Sequence, residues 1–188
     1  MRKLIGIIGL VVCITLLPLA ASAKSNSSKL NKERLEVGRA LLEVTADNVA
    51  EILPYYTDDI EYHDPIVDIY GIGEMEPFLF QLFGATPDLI TTVEDENAID
   101  DTYMATWTMI GTFANVPYEA KGMSIIKFRD KSTDVYYQRD YYSEADIMAA
   151  IPFLCEAVAG FRGVYAGFVA PVPAPGLECP QLPAPPAE

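Results

Sequence analysis

The spacing of apolar residues changes several times along the chain, and each change predicts an element. Leu4 to Leu19 is an almost unbroken apolar run behind Arg2 and Lys3; it ends at Ala21-Ser22-Ala23, and Lys24 to Ser28 is polar. From Leu30 the period becomes helical: Val37, Leu41 and Val44 recur at spacings of four and three with charges between them. Thr45-Ala46-Asp47 offers capping side chains at a joint, after which Val49, Ile52 and Leu53 continue an apolar stripe to Pro54. Ile60 to Asp64 alternates as a short strand closed by Pro65. A second helix is predicted after Gly73, with Pro77 in its first turn, Phe78, Leu79, Leu82 and Phe83 on its apolar face, and Gly84 at its end.

Beyond Pro87 the pattern changes to strands. Leu89–Val93, Tyr103–Phe113, Val116–Phe128 and Asp134–Tyr142 are rich in β-branched and aromatic residues. Asp100-Asp101, Ala114-Asn115 and Asp130-Lys131-Ser132 supply turns short enough to make the strands antiparallel neighbours. Ser143-Glu144-Ala145-Asp146 can cap a last helix running to Ala159, which Pro152 kinks or divides. Seven prolines after Ala170 keep the tail extended. Helices first and a meander afterwards is the order of an α+β domain, a curved antiparallel-rich sheet wrapped on N-terminal helices.

The N-terminal run reads as a signal peptide cleaved after Ala23, with an uncleaved membrane anchor as the alternative. The expected division is a leader over 1–23, a loose polar linker over 24–29, one domain over 30–160 and a proline-rich extension over 161–188. The protein is then exported, periplasmic or secreted, and not stably inserted in a membrane. All 27 acidic residues follow Ala23, and the chain carries a net charge of −14. Such a chain is repelled by phosphate backbones, which argues against nucleic acid as a partner. Aromatics make up 11% of the residues, too many for the acidity to signal disorder. Once the leader is removed, Cys155 and Cys179 remain as an even pair in an oxidising compartment and are expected to form a disulfide.

No dinucleotide fingerprint, phosphate-binding loop or nucleophile elbow is present. One histidine, His63, excludes multi-histidine metal sites, so no metal and no cofactor is expected. Glu94 to Asp101 is strongly acidic but lacks the glycine and ligand spacing of a calcium loop, and reads as a solvated turn.

Two segments place polar groups in strands that should be half buried: Tyr62-His63-Asp64-Pro65 and Gln138-Arg139-Asp140-Tyr141-Tyr142. Strand alternation puts Tyr62 and Asp64 on one face and His63 on the other. Tyr136, Gln138, Asp140 and Tyr142 share a face opposite Tyr137, Arg139 and Tyr141. If Asp64 and Asp140 both point inward, two carboxyls enter one aromatic-lined cavity, where desolvation favours their neutral forms. The alternative has Asp140 paired with a surface arginine and Asp64 capping the turn before Pro65. Trp107 reads as core, and Met104, Met109 and Met123 as gap-fillers that also suit a cavity for a flexible apolar ligand.

The order of two helices, a Tyr-His-Asp-Pro strand, a helix and a meander ending in Arg-Asp-Tyr-Tyr resembles the nuclear transport factor 2-like (cystatin-like) superfamily. Within it, the likeness is to SnoaL-like polyketide cyclases and limonene epoxide hydrolases. The resemblance covers about residues 30 to 150 and implies a cone with an open ligand pocket. It implies Asp140 as the pocket aspartate on the last long strand and Tyr62 as a residue that helps hold a reacting water. Asp64 stands where the epoxide hydrolases carry asparagine. Thr108 and Ile110 align with their middle-strand arginine and aspartate, which argues against epoxide opening. A cyclase or isomerase needs one carboxylate to move a proton beside a carbonyl and a donor for the enolate. Asp140 is then the base, Tyr62 or Tyr103 the donor, Asp64 a second acid, and Thr108, Gln138, Tyr142 and His63 pocket residues. Three readings stay open: an enzyme acting on a small, mostly apolar carbonyl or hydroxyl compound, a binding protein with the same pocket, and an interaction module that pairs as a homodimer through the convex sheet face.

Overall fold

The computed structural model describes residues 17–113, 116–169 and Cys179. The expected leader up to residue 16, the Ala114-Asn115 turn and the proline-rich tail apart from Cys179 lie outside the described residues. Helix α1 spans Leu17–Leu42, and α2 spans Val49–Ile52 and runs into a 3-10 turn over Leu53–Tyr55. Strand β1 (Tyr56–His63) and strand β2 (Asp68–Tyr70) follow, then helix α3 (Ile72–Ala85). Strands β3 (Ile90–Ile99), β4 (Thr102–Phe113), β5 (Val116–Phe128) and β6 (Val135–Tyr142) make the meander. Helices α4 (Glu144–Met148) and α5 (Pro152–Val169) close the described chain. Among the described residues no helix is long and apolar enough to cross a membrane.

The six strands form one sheet in the order β2-β1-β6-β5-β4-β3. Every neighbouring pair is antiparallel except β1 with β6, which run parallel. Register breaks lie between Tyr56 and Glu61, Val93 and Asp95, and Lys127 and Phe128. Such extra residues bend a strand and increase its twist, which is how this sheet curves. Its inner face carries Ile60, Tyr103, Trp107, Ile126, Phe128 and Val135, all buried against α1 and α3. Its outer face shows Met104, Ile110, Met123 and Tyr141 to solvent. The α+β architecture expected from the hydrophobic pattern is therefore the one found.

Several local expectations are corrected. Residues 24–29, expected as a loose linker, are helical and belong to α1. No proline or glycine interrupts residues 19–37, and the Lys29–Glu33 and Lys32–Glu36 pairs add i,i+4 support. The acidic stretch from Glu94 is not a turn: β3 continues to Ile99, and only Asp100-Asp101 turns the chain, with Asp100 at φ 54°. Glu96 is held there by Arg39 and by the Tyr103 hydroxyl, which donates to it over 2.9 Å. Helix α3 starts at Ile72 behind Gly71, whose φ of 80° suits glycine, so Pro77 falls in the second turn rather than the first. Pro152 divides the last helix outright and opens α5, which runs through the boundary expected at 160.

Two turns at one edge of the sheet are tied by Arg34, buried to 3% exposure on α1. Its guanidinium donates to the carbonyls of Asp100, Arg129 and Ser132, joining the β3–β4 and β5–β6 turns, and lies 5.3 Å from the Phe128 ring centre. At the other end of the chain Cys155 and Cys179 are bonded, with Cα atoms 5.5 Å apart. Replacing both cysteines by alanine is expected to lower the unfolding free energy by about 3 kcal/mol, since the cross-link restricts the unfolded chain. Chemical denaturation of the two forms tests this, and coincident midpoints would show that the bridge contributes nothing.

Candidate functional site

The curved sheet and α3 leave a cavity of about 330 Å³ between them. Leu41, Phe78, Leu82, Phe83, Trp107 and Met109 give it apolar walls. Tyr56, Tyr62, Asp64, Gln138, Asp140 and Tyr142 form a polar group within it. Register explains why they meet. The parallel pairing sets Tyr62 beside Gln138, and the antiparallel pairing sets Asp140 beside Ser124. Alternation then keeps Tyr62 with Asp64 on one strand, and Gln138 with Asp140 and Tyr142 on the other.

Asp140 is the hub. Its Oδ1 accepts from the Ser124 hydroxyl at 2.6 Å and its Oδ2 from the Tyr62 hydroxyl at 3.0 Å. The Gln138 amide nitrogen reaches both oxygens, at 3.2 and 3.3 Å. Ser124, fully buried, itself accepts the Trp107 indole N–H at 2.8 Å, and the Tyr56 hydroxyl donates to Gln138 Oε1 at 3.0 Å. Asp64 works on two sides. Its Oδ1 caps the following turn by accepting the N–H groups of Ile66 and Val67 at 2.6 and 2.7 Å. Its Oδ2 faces the cavity, within 3.3 Å of the Tyr62 hydroxyl and 3.2 Å of the Tyr142 hydroxyl. Tyr62 thus stands between the two carboxyls.

Burial raises the Asp140 carboxyl from its ordinary 3.8 to about 6. The hydrogen bonds from Ser124, Gln138 and Tyr62 pull the other way, and the Asp64 charge adds a further upward push. Burial first, and then the Asp140 and Asp64 charges, push the Tyr62 hydroxyl well above its ordinary value. Tyr142 is raised in the same way, by burial and then by Asp64. Both phenols therefore stay protonated and serve as donors. Among the described residues no arginine, lysine or histidine lines the cavity, and no three His, Cys, Asp or Glu side chains converge as metal ligands.

The structure brings together Asp140, Tyr62, Asp64, Gln138 and Tyr142. It does not bring Tyr103, Thr108 or His63 to them. Tyr103 is inward-facing but fully buried, and its ring occupies the space that Gly38 of α1 leaves open. Thr108 lies on the outer face, where its hydroxyl donates to Glu94. Its neighbours Trp107 and Met109 take the cavity side, so Thr108 and Ile110 are not the pocket positions of the middle strand. His63 is on the outer face with Asp68, between the Tyr70 and Tyr137 rings. Tyr136 also leaves the inner face, because the register break near Phe128 turns Val135 inward instead. Asp140 is not paired with a surface arginine: Arg139 points outward over Tyr141. The turn-capping alternative for Asp64 holds for one oxygen only.

Three participants went unrecognised in the sequence: Ser124, Tyr56 and the Trp107 N–H. Ser124 had a signal, a lone hydroxyl in the otherwise apolar run Met123-Ser124-Ile125-Ile126. A polar group buried in a central strand needs a partner.

A family model described as the SnoaL-like domain matches residues 37–133, just over half of the chain. The match ends before Asp140. Among solved structures, an LEH-like epoxide hydrolase of M. tuberculosis aligns with a TM-score of 0.57 at 15% identity, over 74% of this chain and 97% of that one. A protein from Jannaschia sp. CCS1 described as a SnoaL-like polyketide cyclase aligns with a TM-score of 0.55 at 16% identity, over 65% and 93%. A phenazine biosynthesis-related protein of Pseudomonas aeruginosa aligns with a TM-score of 0.60 at 10% identity, over 68% and 90%. At these identities the likeness is one of fold. No curated protein sequence matches the chain.

Proposed function

Since the chain belongs to the SnoaL-like domain family, we propose that it binds a small, mostly apolar molecule in its cavity and that Asp140 moves a proton on that molecule. The observation that carries this is the Asp140 carboxyl, raised to about 6 at the polar end of a mainly apolar cavity. A group with that affinity is ionised at neutral pH yet basic enough to take a proton and return it. Tyr62, held protonated 3.0 Å away, is the donor next to it. Epoxide opening is disfavoured, because no cation in the lining bridges the two carboxyls. Isomerase-type or cyclase-type proton transfer, which asks for a carboxylate and a donor, fits better. Proton exchange into candidate ligands in D2O, followed by NMR, tests the reading. Exchange with the native protein and none with Asp140→Asn is expected. Equal exchange with both would sink the catalytic role, and binding without exchange would leave a binding protein.

We further propose that the protein is exported and trimmed after Ala23. The disulfide supports this, since such bonds persist in oxidising compartments. Protein from its own host whose first residue is Met1 would contradict it.

A further inference from the structure

The donors at the polar end of the cavity are already committed. The Ser124 and Tyr62 hydroxyls and the Gln138 amide nitrogen point at Asp140. The Tyr142 hydroxyl points at Asp64, the Tyr56 hydroxyl at Gln138 Oε1, and the Trp107 N–H at Ser124. What this end offers a ligand is therefore negative charge: two carboxyl groups whose protein donors are all neutral. A ligand that brings only an acceptor to this end, such as a ketone or a carboxylate, must draw the Tyr62 or Tyr142 hydroxyl away from a carboxyl, while the Thr91 and Tyr118 hydroxyls lie elsewhere in the lining. A ligand that brings N–H or O–H groups needs no such exchange.

Charge and shape narrow the class. Two carboxyls share the cavity, and among the described residues no lysine, arginine or histidine lines it to balance them. Aromatic rings surround the same end: Tyr62 lies 5.4 Å from Phe78, and Trp107 6.1 Å from Tyr142, centre to centre. Carboxylates ringed by aromatic faces in a largely apolar cavity favour a cation over a neutral donor. We propose that the occupant of this cavity is a lipophilic amine, held as its N–H cation against the Asp64–Tyr62–Asp140 group with its apolar skeleton against Phe78, Leu82 and Phe83. This rests on the reading of the cavity as a ligand site and adds the charge and polarity of the ligand.

Four compounds with one skeleton separate the two claims: 1-aminoadamantane, 1-adamantanol, 2-adamantanone and adamantane-1-carboxylate, titrated calorimetrically into the full chain with its disulfide intact. The amine is expected to bind at least about tenfold tighter than the alcohol and about a hundredfold tighter than the ketone or the acid. Asp64→Asn and Asp140→Asn should each weaken the amine by about tenfold or more, and by more than they weaken the alcohol. If the alcohol or ketone binds as tightly as the amine, the amine proposal falls and the ligand cavity stands. Amine affinity that neither substitution changes overturns the proposal as well. If none of the four binds, the ligand cavity itself falls with it.

Discussion

Asp140→Asn is expected to lose proton transfer and yet to melt higher than the native protein at neutral pH. Burial raises the Asp140 carboxyl from 3.8 to about 6 in the folded state. Between those two values the folded protein holds this proton more tightly than the unfolded chain does, so the stabilising contribution is fully present below about pH 4. It is lost as pH rises through about 6, and by neutral pH the buried charge costs about 3 kcal/mol. Asparagine removes the charge with little change of shape. It also replaces one acceptor by a donor, so a bond from Tyr62 or Gln138 must be rearranged; Tyr62 can turn to Asp64. The balance should be a gain of about 1 to 2 kcal/mol at pH 7, a rise of roughly 4 °C in melting temperature. Melts of both forms from pH 4 to 8 test it: the gap should open with rising pH and shrink towards pH 4. A variant less stable at pH 7 would mean that Ser124, Gln138 and Tyr62 compensate the charge fully. Turnover, where a substrate is in hand, should fall by about a hundredfold to ten-thousandfold.

Gly122→Ala should be damaging although it adds one methyl group. Gly122 faces inward on β5, opposite Trp107 on β4. A Cβ at that position would overlap the far edge of the Trp107 ring and come within 2.6 Å of the Tyr141 carbonyl oxygen. The carbonyl belongs to a paired strand and cannot give way, so the ring must move. Moving it pulls the indole N–H from Ser124 and disturbs the support of Asp140. Overpacking together with the lost bond should cost about 3 kcal/mol. Trp107 is the only tryptophan in the chain, so its fluorescence reports the event directly. A red-shifted emission and a lower denaturation midpoint are expected. An unshifted spectrum with unchanged stability would mean that the sheet absorbs the methyl group.

Much of this site was legible because alternation along a strand is a local property. Tyr62 with Asp64, and Gln138 with Asp140 and Tyr142, follow from residue parity on β1 and β6 alone. Parity also explains the failures. Thr108 was placed one residue out of step, and a slip of one turns a strand residue to the opposite face. Tyr103 has the right parity but sits against α1, where Gly38 leaves room for its ring; a glycine within a helix carries no side-chain signal of what fills the gap. Ser124 depends on which residue of a neighbouring strand lies beside it, and cross-strand register is not written in either strand. The three-residue β2 is too short to show a period. The second half of β3 hid because Glu94 to Asn97 are four consecutive polar residues before Ala98 and Ile99, with no alternation to read.

The parallel pairing of β1 with β6 ties the order of folding to the appearance of the cavity. The β3–β4, β4–β5 and β5–β6 pairs are sequence neighbours and close short loops, whereas β1 must find a partner at the far end of the domain. Non-local pairing carries the larger loop-closure entropy and sets the slower step. Tyr62 and Asp64 arrive with β1, while Gln138, Asp140 and Tyr142 wait on β6. The Tyr62–Asp140 bond therefore waits on the β1–β6 pairing and not on the meander. Asp140 becomes a buried, bridged group only when β1 docks and brings Tyr62 to it across a separation of 78 residues.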